Sequence, residues 1–201
     1  VDKRNAAACA EWHAQGHIVY WIVDRAGEIV LRLACGGPVV VKKNIRDGEG
    51  EYAFHNGFRG ICDAMTGTDC AAARRRCAAP MRVRVLLLDR HLEVDVRKPD
   101  GSIQTLKTLK IEGKRQLPVT AGWAMTIHTA QGSTFTGKVF VDLNRVPNWN
   151  SALVAVTRAT LLENMQFAPF DETKLAQLAM EDMEPILQRF NKFLKRRTPV
   201  D

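Results

Sequence analysis

Between residues 123 and 160 the chain reads WAMTIHTAQGSTF, then KVFVDL (138–143), a polar turn RVPNWN (145–150), and SALVAVTRAT (151–160). That order limits the possible folds more than any other feature. Residues 139–143 form a β-branched and aromatic run of strand length, bounded by Gly137 and an Asn/Pro cluster. The run is apolar apart from Asp142, which predicts a strand covered on both faces. Ahead of it, residues 125–130 lead into Gln131-Gly132-Ser133, where hydroxyls, an imidazole, an amide and a glycine can meet an oxyanion. Behind it, Arg158 stands alone among small and apolar residues. Phosphate is held by fixed N–H donors and planar cations, so the stretch reads as a phosphate-handling α/β segment. Chemistry alone leans towards plainer roles, with Arg158 a surface cation and His128 a core histidine whose hydrogen bonds are satisfied.

Order and spacing point further. LPVTAGWAMTIHTAQGSTF, followed by VFVDL and ALVAVTRATLLENMQF, resembles motifs V and VI of superfamily-one B DNA helicases. The closest resemblance is to the Pif-one branch, with the RecD and Dda helicases as cousins. Leu117-Pro118, the run from Trp123 to His128, Gln131-Gly132 and the run from Val154 to Ala159 carry the match. NMQFAPFDETKL (164–175) resembles the stretch that follows motif VI in that family. Thr129 and Ala130 replace the usual Lys and Ser or Thr, and Leu153 replaces the usual Tyr. Loss of the Lys removes one phosphate contact.

The resemblance implies an α/β fold: a RecA-like parallel-sheet domain with an inserted small SH3-like β barrel and C-terminal helices. The second RecA-like motor domain would be discontinuous, over 1–32 and 118–165, with the SH3-like insert at 33–117 and a helical extension at 166–201. It implies the C-terminal half of an ATP-dependent helicase that moves 5′ to 3′ on single-stranded DNA. Arg158 would be the arginine finger, with Gln131 and Gly132 beside the nucleotide and Arg4 a second nucleotide contact. Thr126, His128, Thr129, Lys43 and Asn44 would touch the DNA. ATP and Mg2+ would be bound together with an N-terminal RecA-like lobe of the same protein. No G-x-x-x-x-G-K-[ST] loop occurs in the chain, nor an acidic pair of the kind that holds magnesium after a strand. With Val1 in place of a Met, this reads as half of a motor, inactive by itself as an ATPase. A rival reading is a non-catalytic nucleic-acid-binding module derived from a helicase. A stand-alone β domain for a protein partner leaves TIHTAQG and VTRAT unexplained.

Composition agrees with a polyanion partner. The formal net charge is +7, with Lys/Arg clusters at 42–43, 74–76, 82/84, 107–115 and 195–197. Five cysteines without metal-ligand spacing read as free thiols in a reducing compartment, the nucleus or mitochondrion in a eukaryote, with no metal site. No apolar run approaches the roughly 20 residues of a membrane helix.

Along the chain, the spacing predicts a helix over 6–15 stopped by Gly16, then a strand over 18–23. Strands and tight turns follow, with Val39–Val41 extended and Asn56-Gly57 a hairpin signal. Lys43-Asn44 and the run Asn56-Gly57-Phe58-Arg59-Gly60 resemble stretches that open the family's β barrel. Residues 66–80 are an Ala/Arg-rich interruption, read as a surface loop or short helix. Leu92, Val94 and Val96 alternate with charged residues, as in a half-exposed antiparallel strand. Asp171 is a candidate N-cap for an amphipathic helix carrying Leu175, Leu178 and Ala179. Pro185 should interrupt that helix, with Asp182 capping a second one that carries Ile186, Leu187, Phe190, Phe193 and Leu194.

Overall fold

Leu92, Val94 and Val96 are fully buried, while Glu93, Asp95 and Arg97 keep contact with solvent, so the period-2 pattern at 92–97 produces one strand of an antiparallel sheet. The computed structural model describes residues 1–46 and 49–195, with side chains at 186, 187 and 190–195 outside that description. In chain order it begins with α1 (Asp2–Ala14), β1 (Val19–Val23), β2 (Ile29–Ala34), β3 (Pro38–Val41), β4 (Ile45–Arg46), β5 (Tyr52–Phe54) and β6 (Arg59–Thr66). Then come α2 (Ala71–Arg76), β7 (Val83–Leu87), β8 (Glu93–Arg97), β9 (Ile103–Lys107), β10 (Leu109–Ile111), β11 (Lys114–Gln116) and β12 (Val119–Ala121). The last elements are α3 (Ile127–Ala130), β13 (Val139–Val141), α4 (Trp149–Val156), β14 (Met165–Phe167) and α5 (Glu172–Lys195). They divide into two units, Val1–Met125 and Thr126–Asp201.

In the first unit β1 pairs antiparallel with β2 and parallel with β7. A five-stranded antiparallel sheet runs in the order β12-β3-β6-β8-β9. Among the described residues no pairing joins β9 to β12, so the strands expected as a barrel form an open sheet. Tyr20, Leu33, Val39, Phe54, Met65 and Val94 share one core. Each such side chain contributes about 1.5–3 kcal/mol through burial. A second core, under α1 and α2, holds Cys9, Val23, Ala73 and Val85. The Ala/Arg-rich interruption is thus a short helix whose Ala73 faces inward.

Asn56-Gly57 makes a turn but not a hairpin, because β5 pairs with β4 and β6 pairs with β3 and β8. The amide of Phe58 donates to the His55 carbonyl at 3.0 Å. Gly57 takes the positive φ (+87°) that a type II turn requires at its third position.

Asn5 ties α1 to the chain beyond β12. Its side-chain amide donates to the carbonyls of Ala121 and Ala124, both at 3.1 Å, and its oxygen accepts the Ala124 amide at 2.8 Å. Trp123 packs edge-on against Trp12, with ring centroids 5.6 Å apart.

In the second unit β13 pairs parallel with β14. Phe140 is 56% exposed, so the strand expected to be covered on both faces is covered on one. Val141, Leu143, Val146, Ala152 and Ala155 form the core, with Leu175 and Leu178 of α5 packed on it. Asp171 caps α5, accepting the amides of Thr173 and Lys174 at 3.0 and 3.2 Å. Pro185 does not interrupt α5, which runs through it. A proline forfeits one backbone bond, but its fixed φ is itself helical. Asp182 therefore caps no second helix; it receives the N-terminal amides of α4 instead, Trp149 at 2.9 Å and Asn150 at 3.4 Å. The apolar stripe at Ile186, Leu187, Phe190, Phe193 and Leu194 lies outside the described side chains. Among the described residues no helix is long and apolar enough to cross a membrane.

Candidate functional site

Residues 126–135 turn sharply for identifiable reasons. Thr126 is extended (φ −75°, ψ 157°) and caps α3, its hydroxyl accepting the Thr129 amide at 3.3 Å. The two threonine hydroxyls are also 2.9 Å apart and hydrogen-bonded. The helix stops after a single turn because Gln131 returns to extended backbone and Gly132 takes φ +80°. A Cβ built on Gly132 would meet nothing within 4 Å, so the peptide is open to close approach by a ligand. Ala130 is buried and Ile127 packs on the core, which leaves His128 and Gln131 exposed. His128 is therefore not a core histidine.

Asn148 caps α4 by accepting the Ser151 amide at 2.8 Å, and the helix buries Ser151, Ala152 and Ala155 along its small-residue face. At its far end the Arg158 side chain folds back. Nε donates to the Val154 carbonyl at 2.9 Å, and Nη2 donates to the Thr157 hydroxyl at 2.9 Å. Nη1 reaches the Ser133 carbonyl at 3.4 Å. A cation in this position complements the negative end of the helix dipole. The backbones lock the same two stretches together: Phe135 N–H donates to the Arg158 carbonyl at 2.8 Å, and Thr160 N–H donates to the Phe135 carbonyl at 3.0 Å. Arg158 is half-buried and fixed beside the Gln131-Gly132-Ser133 turn, which rules out a plain surface cation.

The structure thus gathers Gln131, Gly132 and Arg158 with Ser133, and puts Thr126, His128 and Thr129 on the adjoining turn. The remaining residues singled out from sequence belong to the first unit, on separate elements. Arg4 is exposed in the first turn of α1, next to the buried Asn5. Lys43 is exposed after β3, and Asn44 accepts the Asn56 amide at 2.7 Å through its side-chain oxygen. Sequence reasoning missed Asn5, the bond from Arg158 to the Ser133 carbonyl, and the fact that Asp182 caps α4. Only Asn5 carried a signal, as the lone amide in an Ala-rich helix. A guanidinium with donors to spare, next to an open glycine peptide, is suited chemically to a phosphate oxygen.

No protein-family model matches the chain. The ATP-dependent DNA helicase PIF1 of Saccharomyces cerevisiae is 36% identical over 80 residues, covering 40% of this chain and 9% of that protein. The PIF1 helicase of Danio rerio is 30% identical over 144 residues, covering 71% of this chain and 20% of its own length. The solved structure of two coordinating Pif1 helicases unwinding forked double-stranded DNA superposes with a TM-score of 0.50 at 22% identity, over 81% of this chain and 34% of that one. Bacteroides Pif1 bound to single-stranded DNA superposes with a TM-score of 0.50 at 19% identity, over 82% and 36%. These superpositions establish the shared fold. The chain spans no more than 20% of the curated relatives' length and about a third of the solved chains. In motif order and in its α/β fold the chain is similar to a part of the Pif1-type DNA helicases.

Proposed function

We propose that the chain supplies the second motor half of an ATP-dependent 5′–3′ DNA helicase. In this reading residues 1–32 and 118–165 make the RecA-like lobe, 33–117 an SH3-like insert, and the segment from 166 onward a C-terminal extension. One observation carries the reading: the Arg158 guanidinium is held between the α4 carbonyl of Val154 and the Ser133 carbonyl, directly after Gln131-Gly132. A cation fixed beside an open glycine peptide is what an incoming phosphate requires.

Arg158 acts as the arginine finger. It exchanges its long bond to Ser133 for oxygens of a γ-phosphate presented by the other lobe. That contact offsets charge developing in the loose transition state, an effect worth roughly 10³–10⁵ in rate. The Gln131 amide and the Gly132 peptide line the same face, and Arg4 is a second nucleotide contact. Magnesium would neutralise charge on the β- and γ-phosphates, and its ligands belong to the other lobe. Thr126, His128, Thr129, Lys43 and Asn44 meet the single strand. Exposure of His128 and Lys43 supports this assignment, as does the single-stranded DNA carried by the Bacteroides Pif1 structure. Such contacts are sequence-independent and sensitive to salt.

The test is DNA-stimulated ATP hydrolysis by the full-length protein carrying Arg158→Ala, measured beside its affinity for labelled single strands. Loss of turnover with binding retained is the expected outcome. Equal loss of both would remove the finger assignment.

A further inference from the structure

From Cys70 to Leu88 the chain contains five arginines (Arg74, Arg75, Arg76, Arg82 and Arg84) without one acidic residue or aromatic ring. Three of these are fixed by backbone carbonyls. Arg74 Nη2 donates to Val83 at 2.5 Å, Arg76 Nη1 to Ala26 at 2.7 Å and Arg82 Nη1 to Gly16 at 3.4 Å. Carbonyls orient a guanidinium without neutralising it, and each retains further N–H donors. Arg82 adopts this position at φ +66°, a conformation that is unfavourable for a residue with a side chain. Arg84 lies over the Tyr20 ring and is not part of the group.

The fixed cations bracket β1, since Gly16 precedes that strand and Ala26 follows it. Five strand residues extend roughly 16 Å. Exposed Arg25 and exposed Arg75 are the chain neighbours of the bonded pair Ala26 and Arg76. The acids there are Asp24, Glu28 and Asp69, the last directly before the Cys70 N-cap of α2, and the Asp24 side chain already accepts the Glu28 amide at 3.0 Å.

We propose that this arginine face, α2 with its flanking turns, binds the phosphate backbone of duplex DNA, apart from the single-strand contacts of the motor. Single strands are gripped by base stacking on rings; residues 70–88 offer none, and the partly exposed Trp21 of β1, which lies against Pro80 and Val83, already has Arg32 over its ring. A duplex presents one phosphate about every 3.4 Å of axis on each strand, so the face can meet about four on one strand. The inference rests on the helicase reading, because it places duplex on a protein that also binds single strands.

The test compares the 201-residue chain with an Arg25→Glu/Arg75→Glu variant, since neither residue anchors α2 through the carbonyl bonds above. Fluorescence anisotropy across a salt series would follow a labelled blunt duplex and, separately, a labelled thymidine strand. Vesicles containing phosphatidylserine serve as a third ligand. The double variant is expected to bind duplex at least tenfold more weakly at low salt, with the slope of log K against log salt shallower by about two. Affinity for the single strand should change less than twofold, and Arg25→Lys/Arg75→Lys should restore duplex binding. An unchanged duplex slope overturns the proposal. So does equal loss on both nucleic acids, or a loss confined to vesicles. If the parent chain binds single strands but no duplex, this inference fails while the helicase reading stands. If it binds neither, both fail.

Discussion

The Phe135 amide donates to the Arg158 carbonyl at 2.8 Å, so the residue with the candidate finger is tied by its own backbone to the segment leaving the Gln131-Gly132 turn. Backbone pairing fixes where the side chain starts, and only its tip needs to move on meeting phosphate. Arg158→Lys should therefore fail to rescue Arg158→Ala, because the donors of an ammonium sit on one nitrogen and cannot span Val154, Thr157 and a phosphate as the planar guanidinium does through separate nitrogens. Turnover in the full-length enzyme should fall about 10³-fold in both variants, with single-strand affinity within about twofold. Steady-state ATPase and anisotropy measure the two quantities.

The isolated chain should not hydrolyse ATP, since no phosphate loop occurs in its sequence. Adding single-stranded DNA should not change that. Phosphate release above the buffer rate, from protein free of contaminating ATPase, would count against the division of labour between lobes.

Asn5→Ala should destabilise the chain by roughly 1–3 kcal/mol, because it strands the Ala124 amide and two carbonyls that the side chain satisfies. Asn5→Asp should do no better, since a carboxylate cannot donate to the carbonyls of Ala121 and Ala124. Urea titrations followed by Trp fluorescence give the difference.

Asp182→Ala should cost about 1 kcal/mol, with Asp182→Asn losing less, because the carboxylate serves both as cap and as countercharge for the first turn of α4. The deficit should shrink at high salt, where the charge component is screened. Thermal melts at two ionic strengths separate the components.

Burial pushes the Cys62 thiol up to about 12 and the Cys9 thiol up to about 11, from an ordinary value of 9.0. Both are raised, so their contribution to stability is complete below pH 9 and is lost as pH rises towards 11–12. Urea midpoints should fall between pH 8 and 10, and less steeply in Cys62→Ala relative to its own pH 8 value. In the native chain a thiol reagent should modify the partly exposed Cys35, Cys70 and Cys77 well before Cys9 and Cys62.

What could be read from sequence was local. The alternation at 92–97, the Asp171 cap and the extended run at Val39–Val41 each depend on neighbours within a few positions. Partnerships across distance could not be read. Asp182 meets Trp149 across 33 residues, and Asn5 meets Ala124 across 119. Neither leaves a period or a motif behind. Phe140 looked buried because its run is apolar, yet strand composition does not say how many layers will cover a sheet. Within the candidate site, order and spacing singled out the Gln131-Gly132-Ser133 turn and Arg158, which the structure places side by side. The bond from Arg158 to Ser133 was not legible, because it uses a main-chain carbonyl, which every residue has.

The amide of Asn5 joins the start of α1 to the end of β12 and the residues just beyond it. Ala124 stands two positions ahead of Thr126, and Arg4 stands one ahead of Asn5. Within the first unit, the helix turn that carries Arg4 is therefore held by a polar clasp to the residues that leave β12. Two stretches 119 positions apart along the polypeptide share one set of hydrogen bonds.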